Sequence, residues 1–165
     1  MRKIYAIVGP SGSGKSTLVK FLEEELDIPQ LVSHTTRPMR KGEEQGREHW
    51  FDYDICMPSR DKMLAYANFG GFHYWGNLSQ VEEYDICSYI IDEDALVEMI
   101  EKFRDRFEFV PVYVDREYDP SIGEERIKRD GTRTKLPESF YKAIIVNDGT
   151  IEQLYETAFN VFNMI

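Results

Sequence analysis

Eight residues near the start of the chain, Gly9-Pro10-Ser11-Gly12-Ser13-Gly14-Lys15-Ser16, satisfy the pattern G-x-x-x-x-G-K-[ST]. Those residue types suit an anion with several oxygens. Glycines let successive backbone N–H groups turn inward toward phosphate oxygens. A helix beginning near Lys15 adds its positive N-terminal end. Lys15 is spaced to reach β- and γ-phosphates, and the Ser16 hydroxyl to sit on a nucleotide-bound Mg²⁺ ion. The flanks agree with this reading. Residues 3–8 are apolar and β-branched with no helical period, as in a buried strand. Leu18, Val19, Phe21, Leu22 and Leu26 then recur at helical spacing until Pro29. Strand, loop and helix predict the opening of an α/β fold with ATP held by Gly9, Ser11, Gly12, Ser13, Gly14, Lys15, Ser16 and Thr17.

A second set of residues suits a smaller dianion. Arg37 and Arg40 are three apart, and guanidinium forks match phosphate oxygens in paired hydrogen bonds. Ser33 and His49 can add hydrogen bonds, and Gly42 and Gly46 fit tight turns that fold the segment over a ligand. Lys41 and Arg47 read as surface charges. A third basic stretch holds Arg126, Lys128, Arg129, Arg133 and Lys135. The formal net charge is −10, which argues against nucleic acid or a membrane surface as the main partner. The basic side chains are instead concentrated where small anions would be held.

The elements that must position these residues can also be read. The 165 residues suffice for one domain with a real core, and no apolar run is long enough to cross a bilayer. The first nine residues read as a strand with a charged edge, not a signal peptide. Cys56 and Cys87 have neither disulfide nor metal spacing, so both are expected to be packing residues in a reducing compartment, the cytoplasm. Residues 31–77 have turn-and-hairpin composition, predicting a small, mostly antiparallel insert with one short helix over 61–67. Strands are predicted over 86–91, 109–114 and 143–146, with Pro111 placing the second at an edge or bulge. Helical period covers 94–107. Residues 124–135 read as a charged, mobile segment, and Thr150 as the N-cap of a closing helix whose inner face carries Leu154, Ala158, Val161 and Phe162.

The segment running from Ser33-His34-Thr35-Thr36-Arg37 to His49-Trp50-Phe51 resembles the GMP-binding segment of guanylate kinases, S-x-T-T-R-x-x-R-x-G-E-x-x-G-x-x-Y-x-F, with His49 replacing the tyrosine. Tyr74-Trp75-Gly76 is similar to that family's Y-Y-G element, and Ile144-Ile145-Val146-Asn147-Asp148 to its V-V-N-D element. The resemblance implies a P-loop NTPase-type parallel sheet flanked by helices, with a core of 1–30, 78–118 and 136–165, an NMP-binding insert of 31–77 and a lid of 119–135. It implies transfer of a phosphoryl group from ATP, with Mg²⁺, to GMP or dGMP, by a monomer or homodimer. On this reading Lys15, Arg37, Arg126, Arg129 and Arg133 are catalytic, and Asn147 joins the ATP contacts. The acceptor is held by Ser33, Arg37, Arg40, His49, Trp75, Asn77 and Asp92.

The base-reading part departs from the family. Guanine presents N1–H and N2–H₂ as adjacent donors, so a selective pocket wants acceptors. The family's E-W-A glutamate falls on Ala65, or on Tyr66 with the gap placed differently. Its aspartate is retained as Asp92, which also reads as a helix cap, and its serine after Y-Y-G is Asn77. Two alternatives therefore stand: a related phosphotransferase acting on another (deoxy)nucleotide or a sugar phosphate, and a non-catalytic binding module. The intact Gly14-Lys15-Ser16 and the negative net charge count against the module.

Overall fold

Strand β1 (Arg2–Val8) is buried on both faces, because its apolar residues alternate between two clusters. Ile4, Ala6 and Val8 join one, and Tyr5 and Ile7 the other. That is the position of a central strand in a parallel sheet covered on both sides. The computed structural model describes residues 1–52, 57–117 and 123–165, and of Glu125, Arg126 and Arg129 the backbone alone. Cys56 and the first part of the predicted lid lie outside the described residues.

Around β1 stand β2 (Gln30–Leu31), β7 (Ile86–Ile90), β8 (Phe107–Asp115) and β9 (Ala143–Val146), in the order β2-β7-β1-β8-β9. Every pairing in this sheet is parallel. Helices α1 (Lys15–Leu26) and α5 (Ile151–Phe162) cover one face through Leu18, Leu22, Leu154, Ala158 and Phe162. Helix α3 (Glu93–Phe103) covers the other through Ala95, Leu96, Met99 and Phe103. Thr150 caps α5 as expected, in a reciprocal box with Gln153. The carboxyl ends of β1 and β7 lead into the phosphate loop and into α3, so the chemistry-bearing residues gather at one edge of the sheet. Among the described residues no helix is long and apolar enough to cross a membrane.

A second, four-stranded sheet has the order β4-β3-β6-β5, from β3 (His34–Thr35), β4 (Trp50–Phe51), β5 (Met63–Phe69) and β6 (Phe72–Asn77). Its β3–β4 pair is parallel and the other two pairings are antiparallel. The β5–β6 hairpin turns at Gly70 and Gly71, both at positive φ.

Three sequence expectations are corrected. The short helix over 61–67 is a single 3₁₀ turn, Arg60–Lys62, followed by β5. Cross-strand pairing with β6 and burial of Met63, Leu64 and Ala65 override the local preference. The helix over 94–107 ends at Phe103, because Phe107 must begin β8 opposite Arg2 of β1. Pro111 lies in an internal strand, with Ala6 opposite on one side. Its carbonyl accepts from Lys142 N–H on the other side, just before β9 starts, so the missing proline N–H points where no ladder bond is needed. Within the charged segment at 124–135, residues Glu124–Gly131 form helix α4. A short α2 (Leu78–Glu82), capped by Asn77 and Gln80, was not anticipated.

The two sheets meet closely at Gly76. A methyl group on its Cα would lie 2.7 Å from the Tyr89 hydroxyl of β7. Gly76→Ala is therefore expected to destabilise the fold by about 1–3 kcal/mol, the usual range for overpacking. Adding Tyr89→Phe should recover part of that loss in denaturant melts.

Candidate active site

The phosphate loop is held from beneath. Gly14 caps α1 at φ +101, a left-handed conformation that glycine adopts without strain. Asn147, just past β9, donates to the Ser13 carbonyl at 2.8 Å and lies against Gly14, where any side chain would collide with it. Lys15 folds back across the loop, its Nζ 2.7 Å from the carbonyls of both Gly9 and Pro10. Ser16 is exposed at the start of α1, Gly12 is exposed, Thr17 is half-buried and Ser13 is buried.

The region after α4 closes on this loop from above. The Asp130 carboxylate accepts from the Ser11 N–H at 3.1 Å and its hydroxyl at 3.2 Å. Arg133 donates to the Gly9 carbonyl and makes a two-pronged contact with Glu93, Nη2 at 2.7 Å and Nε at 3.1 Å. The Glu93 side chain is only 5% exposed. Of the three lid arginines named from the sequence, Arg133 is brought to the loop, while the side chains of Arg126 and Arg129 lie outside the described residues. Sequence reasoning missed Glu93 and Asp130. An acid directly after the cap residue Asp92 was the available signal for Glu93. Asp130 carried none.

Across the cleft, the arm after β3 presents its arginines. Arg37 is 6% exposed and paired with Glu43 through two bonds of 2.8 and 3.0 Å. Burial works against the Glu43 charge, yet the Arg37 guanidinium and the Arg40 N–H hold its carboxyl below the usual range. Arg40 is exposed, and its guanidinium has no partner among the described residues. His49 Nδ1 and Ser33 Oγ are 2.8 Å apart. Burial, then the nearby Arg37 charge, lowers the His49 pKa to about 4, so the ring is neutral at pH 7.

One cavity of about 810 Å³ is lined both by the loop residues Ser11, Gly12, Lys15, Ser16 and Thr17 and by Ser33, Arg37, Arg40, His49 and Tyr74. A smaller one of about 200 Å³ runs from Gly9, Lys15 and Ser33 to Ala65, Tyr66, Tyr89 and Asp92. Asp92 caps α3, accepting from Ala95 N–H at 2.9 Å, and also lines this cavity. Capping α3 leaves it at the cavity wall. Burial raises its pKa, partly offset by that N–H. Trp75 and Asn77 line neither cavity. Trp75 stacks on His34 at 5.3 Å, and Asn77 Nδ2 lies 2.9 Å from His34 Nε2. Their neighbour Tyr74 lines both cavities instead. Successive residues of a strand face opposite ways, and the motif alone does not say which faces the cleft.

A parallel sheet whose first strand runs through a glycine-rich turn into a helix, facing an arginine-bearing arm across one cleft, defines a P-loop nucleotide-binding fold. The family follows from the sequence: a family model described as guanylate kinase matches residues 1–161, and the chain belongs to that family. The guanylate kinase of Polaromonas sp. strain JS666 is 41% identical over 85 residues, covering 48% of this chain and 41% of that protein. That of Fusobacterium nucleatum is 38% identical over 84 residues, covering 48% of this chain and 45% of that protein. The chain thus aligns with less than half the length of these relatives. That of Prochlorococcus marinus strain MIT 9312 is 29% identical over 136 residues, covering 79% and 73%. The crystal structure of guanylate kinase from Anaplasma phagocytophilum superimposes with a TM-score of 0.65 at 22% identity, covering 99% of this chain and 84% of that one.

The half-buried, neutral His49 makes stability depend on pH. Its folded pKa lies below the unfolded value of 6.5, so the unfolded chain binds more protons between about 4 and 6.5 and stability falls as pH falls through that window. Relative to His49→Gln, the wild type should lose about 2 kcal/mol more between pH 7 and pH 5 in urea melts.

Proposed function

We propose that this protein transfers the γ-phosphoryl group of ATP to a nucleoside monophosphate, GMP or dGMP, giving ADP and the nucleoside diphosphate. The observation that carries this reading is the shared cleft: the phosphate loop and the Arg37–Arg40 arm line one cavity. An oxygen of the acceptor phosphate attacks the γ-phosphorus, and the bond to the bridging oxygen of ADP breaks. Such a transfer needs charge neutralisation, alignment and exclusion of water more than covalent help.

Each residue has a role matched to its surroundings. The loop N–H groups and Lys15 hold the donor phosphates, with Lys15 leaving the Gly9 and Pro10 carbonyls to do so. Arg40 offers the acceptor phosphate a guanidinium that has no partner among the described residues, and Arg37 is fixed in place by Glu43. Ser33 and the neutral His49 add hydrogen bonds. Arg133 stands at the rim of the loop, where charge develops on the migrating group, and the lid carrying Arg126 and Arg129 closes over it. No group of three His, Cys, Asp or Glu among the described residues is arranged to hold a metal. An exposed serine hydroxyl beside bound phosphates fits Mg²⁺, which retains several waters and binds through few protein oxygens. Ser16 would hold it, and the ion would neutralise charge on the β- and γ-phosphates. We place the protein in the cytoplasm, where these nucleotides are available.

ADP release measured with a panel of acceptors tests the proposal. Turnover is expected with GMP or dGMP. Rapid turnover with a sugar phosphate alone would sink the guanine assignment, and ATP binding with no turnover on any acceptor would leave a binding module. Lys15→Ala should abolish transfer in a folded protein. Arg40→Ala should raise the acceptor KM at least about tenfold with little change in the KM for ATP, since a charge-assisted contact is worth about 1.5–3 kcal/mol.

A further inference from the structure

Tyr89 lies on β7 with 4% of its surface exposed, and it lines the smaller cavity. Its hydroxyl sits against Gly76, at the place where a side chain would begin. Gly76 is paired across the hairpin with Ala65. The hydroxyl therefore stands beside the strand position at which Ala65 contributes only a methyl group to the cavity wall. Tyr66, the neighbouring position, is already engaged: its hydroxyl is 2.8 Å from His73 Nδ1, and the Arg60 guanidinium stacks on its ring.

The Tyr89 hydroxyl has no hydrogen-bond partner among the described residues. It is also not one of the fully enclosed unpartnered atoms, which are Ser13 Oγ, Trp75 Nε1 and Ser88 Oγ. It thus keeps some accessible surface, and Tyr89 lines the smaller cavity. Asp92 faces the same cavity. Burial and the Asp92 charge both push the phenol pKa up, so the hydroxyl keeps its proton and can donate as well as accept. A hydroxyl without a partner in a pocket walled by Ala65, Ala67, Ile91 and Ala95 favours a ligand that supplies one.

We propose that Tyr89 reads the base of the acceptor nucleotide, its hydroxyl standing in for the carboxylate missing at Ala65 and acting together with Asp92. This rests on the nucleoside monophosphate kinase reading of the cleft. The substitution changes the chemistry of recognition. A carboxylate only accepts, and so rejects a base that presents an acceptor. A hydroxyl can accept from guanine N1–H or donate to adenine N1, so it does not itself exclude adenine, while Asp92 accepts from the guanine 2-amino group, which adenine lacks at that position. The preference for GMP then rests on Asp92, and its margin over AMP is narrower than two carboxylates would give.

Calorimetric titration of GMP and AMP into the wild type, Tyr89→Phe and Ala65→Glu tests this, with ADP release measured in parallel. Tyr89→Phe removes one unbonded oxygen, so the fold should persist, and its melting temperature checks that. Tyr89→Phe is expected to weaken GMP binding about five- to tenfold, the effect of one lost hydrogen bond, with the ATP affinity within twofold. Ala65→Glu is expected to tighten GMP and weaken AMP, widening the margin between them. GMP binding to Tyr89→Phe within twofold of wild type overturns the assignment, as does an unchanged GMP-to-AMP ratio in Ala65→Glu. Wild-type protein that binds GMP but releases no ADP refutes the kinase reading alone, and the binding comparison still decides the role of Tyr89. Wild-type protein that binds neither GMP nor AMP refutes both.

Discussion

The carbonyl oxygen of Gly9, at the end of the central strand, receives two cations. Lys15 reaches it from the start of α1 and Arg133 from the segment after α4. Arg133 is in turn gripped by Glu93 on α3. One backbone atom thus draws together the loop, the lid and the helix on the opposite face of the sheet. An uncompensated carboxylate as buried as Glu93 would be costly, so the arginine is as necessary to the core as it is suited to the cleft. The phosphate loop is braced at this meeting point and by Asn147 beneath it.

The second sheet supplies the opposing wall, and its own charges are arranged on similar lines. Glu43 fixes Arg37 as Glu93 fixes Arg133, each through a two-pronged contact with low exposure. Two guanidinium groups are thereby held in place before any ligand arrives, which in the proposed reaction would lower the ordering cost of binding a phosphate. Arg40 differs in being exposed, its guanidinium without a partner among the described residues, as the proposed reaction would need of a group that moves onto an incoming dianion.

Much of this was legible in the sequence, and for identifiable reasons. The Gly9–Ser16 motif is contiguous and its flanks carry strand and helix periods, so loop, β1 and α1 follow directly. Thr150 and Pro29 mark helix boundaries by local chemistry alone. What escaped depends on partners distant in the chain. Residues 61–67 carry a weak local preference for helix, and only the pairing with β6 makes most of them a strand. Pro111 looks like an edge residue until the late start of β9 is known. Trp75 and Tyr74 are equivalent in a motif but face opposite sides of a strand. Glu93, Asp130 and Tyr89 act through residues tens of positions away, and no spacing rule reaches that far.

Asp92 and Glu93 are consecutive residues at the start of α3, yet they serve different walls of the cleft. The first faces the cavity that would hold the acceptor base, and the second anchors Arg133 beside the phosphate loop. Neighbours on the first turn of a helix cannot be displaced independently. In the proposed reaction, a base that fits badly against Asp92 also disturbs the support of the arginine, so a poor acceptor is slowed as well as weakly held.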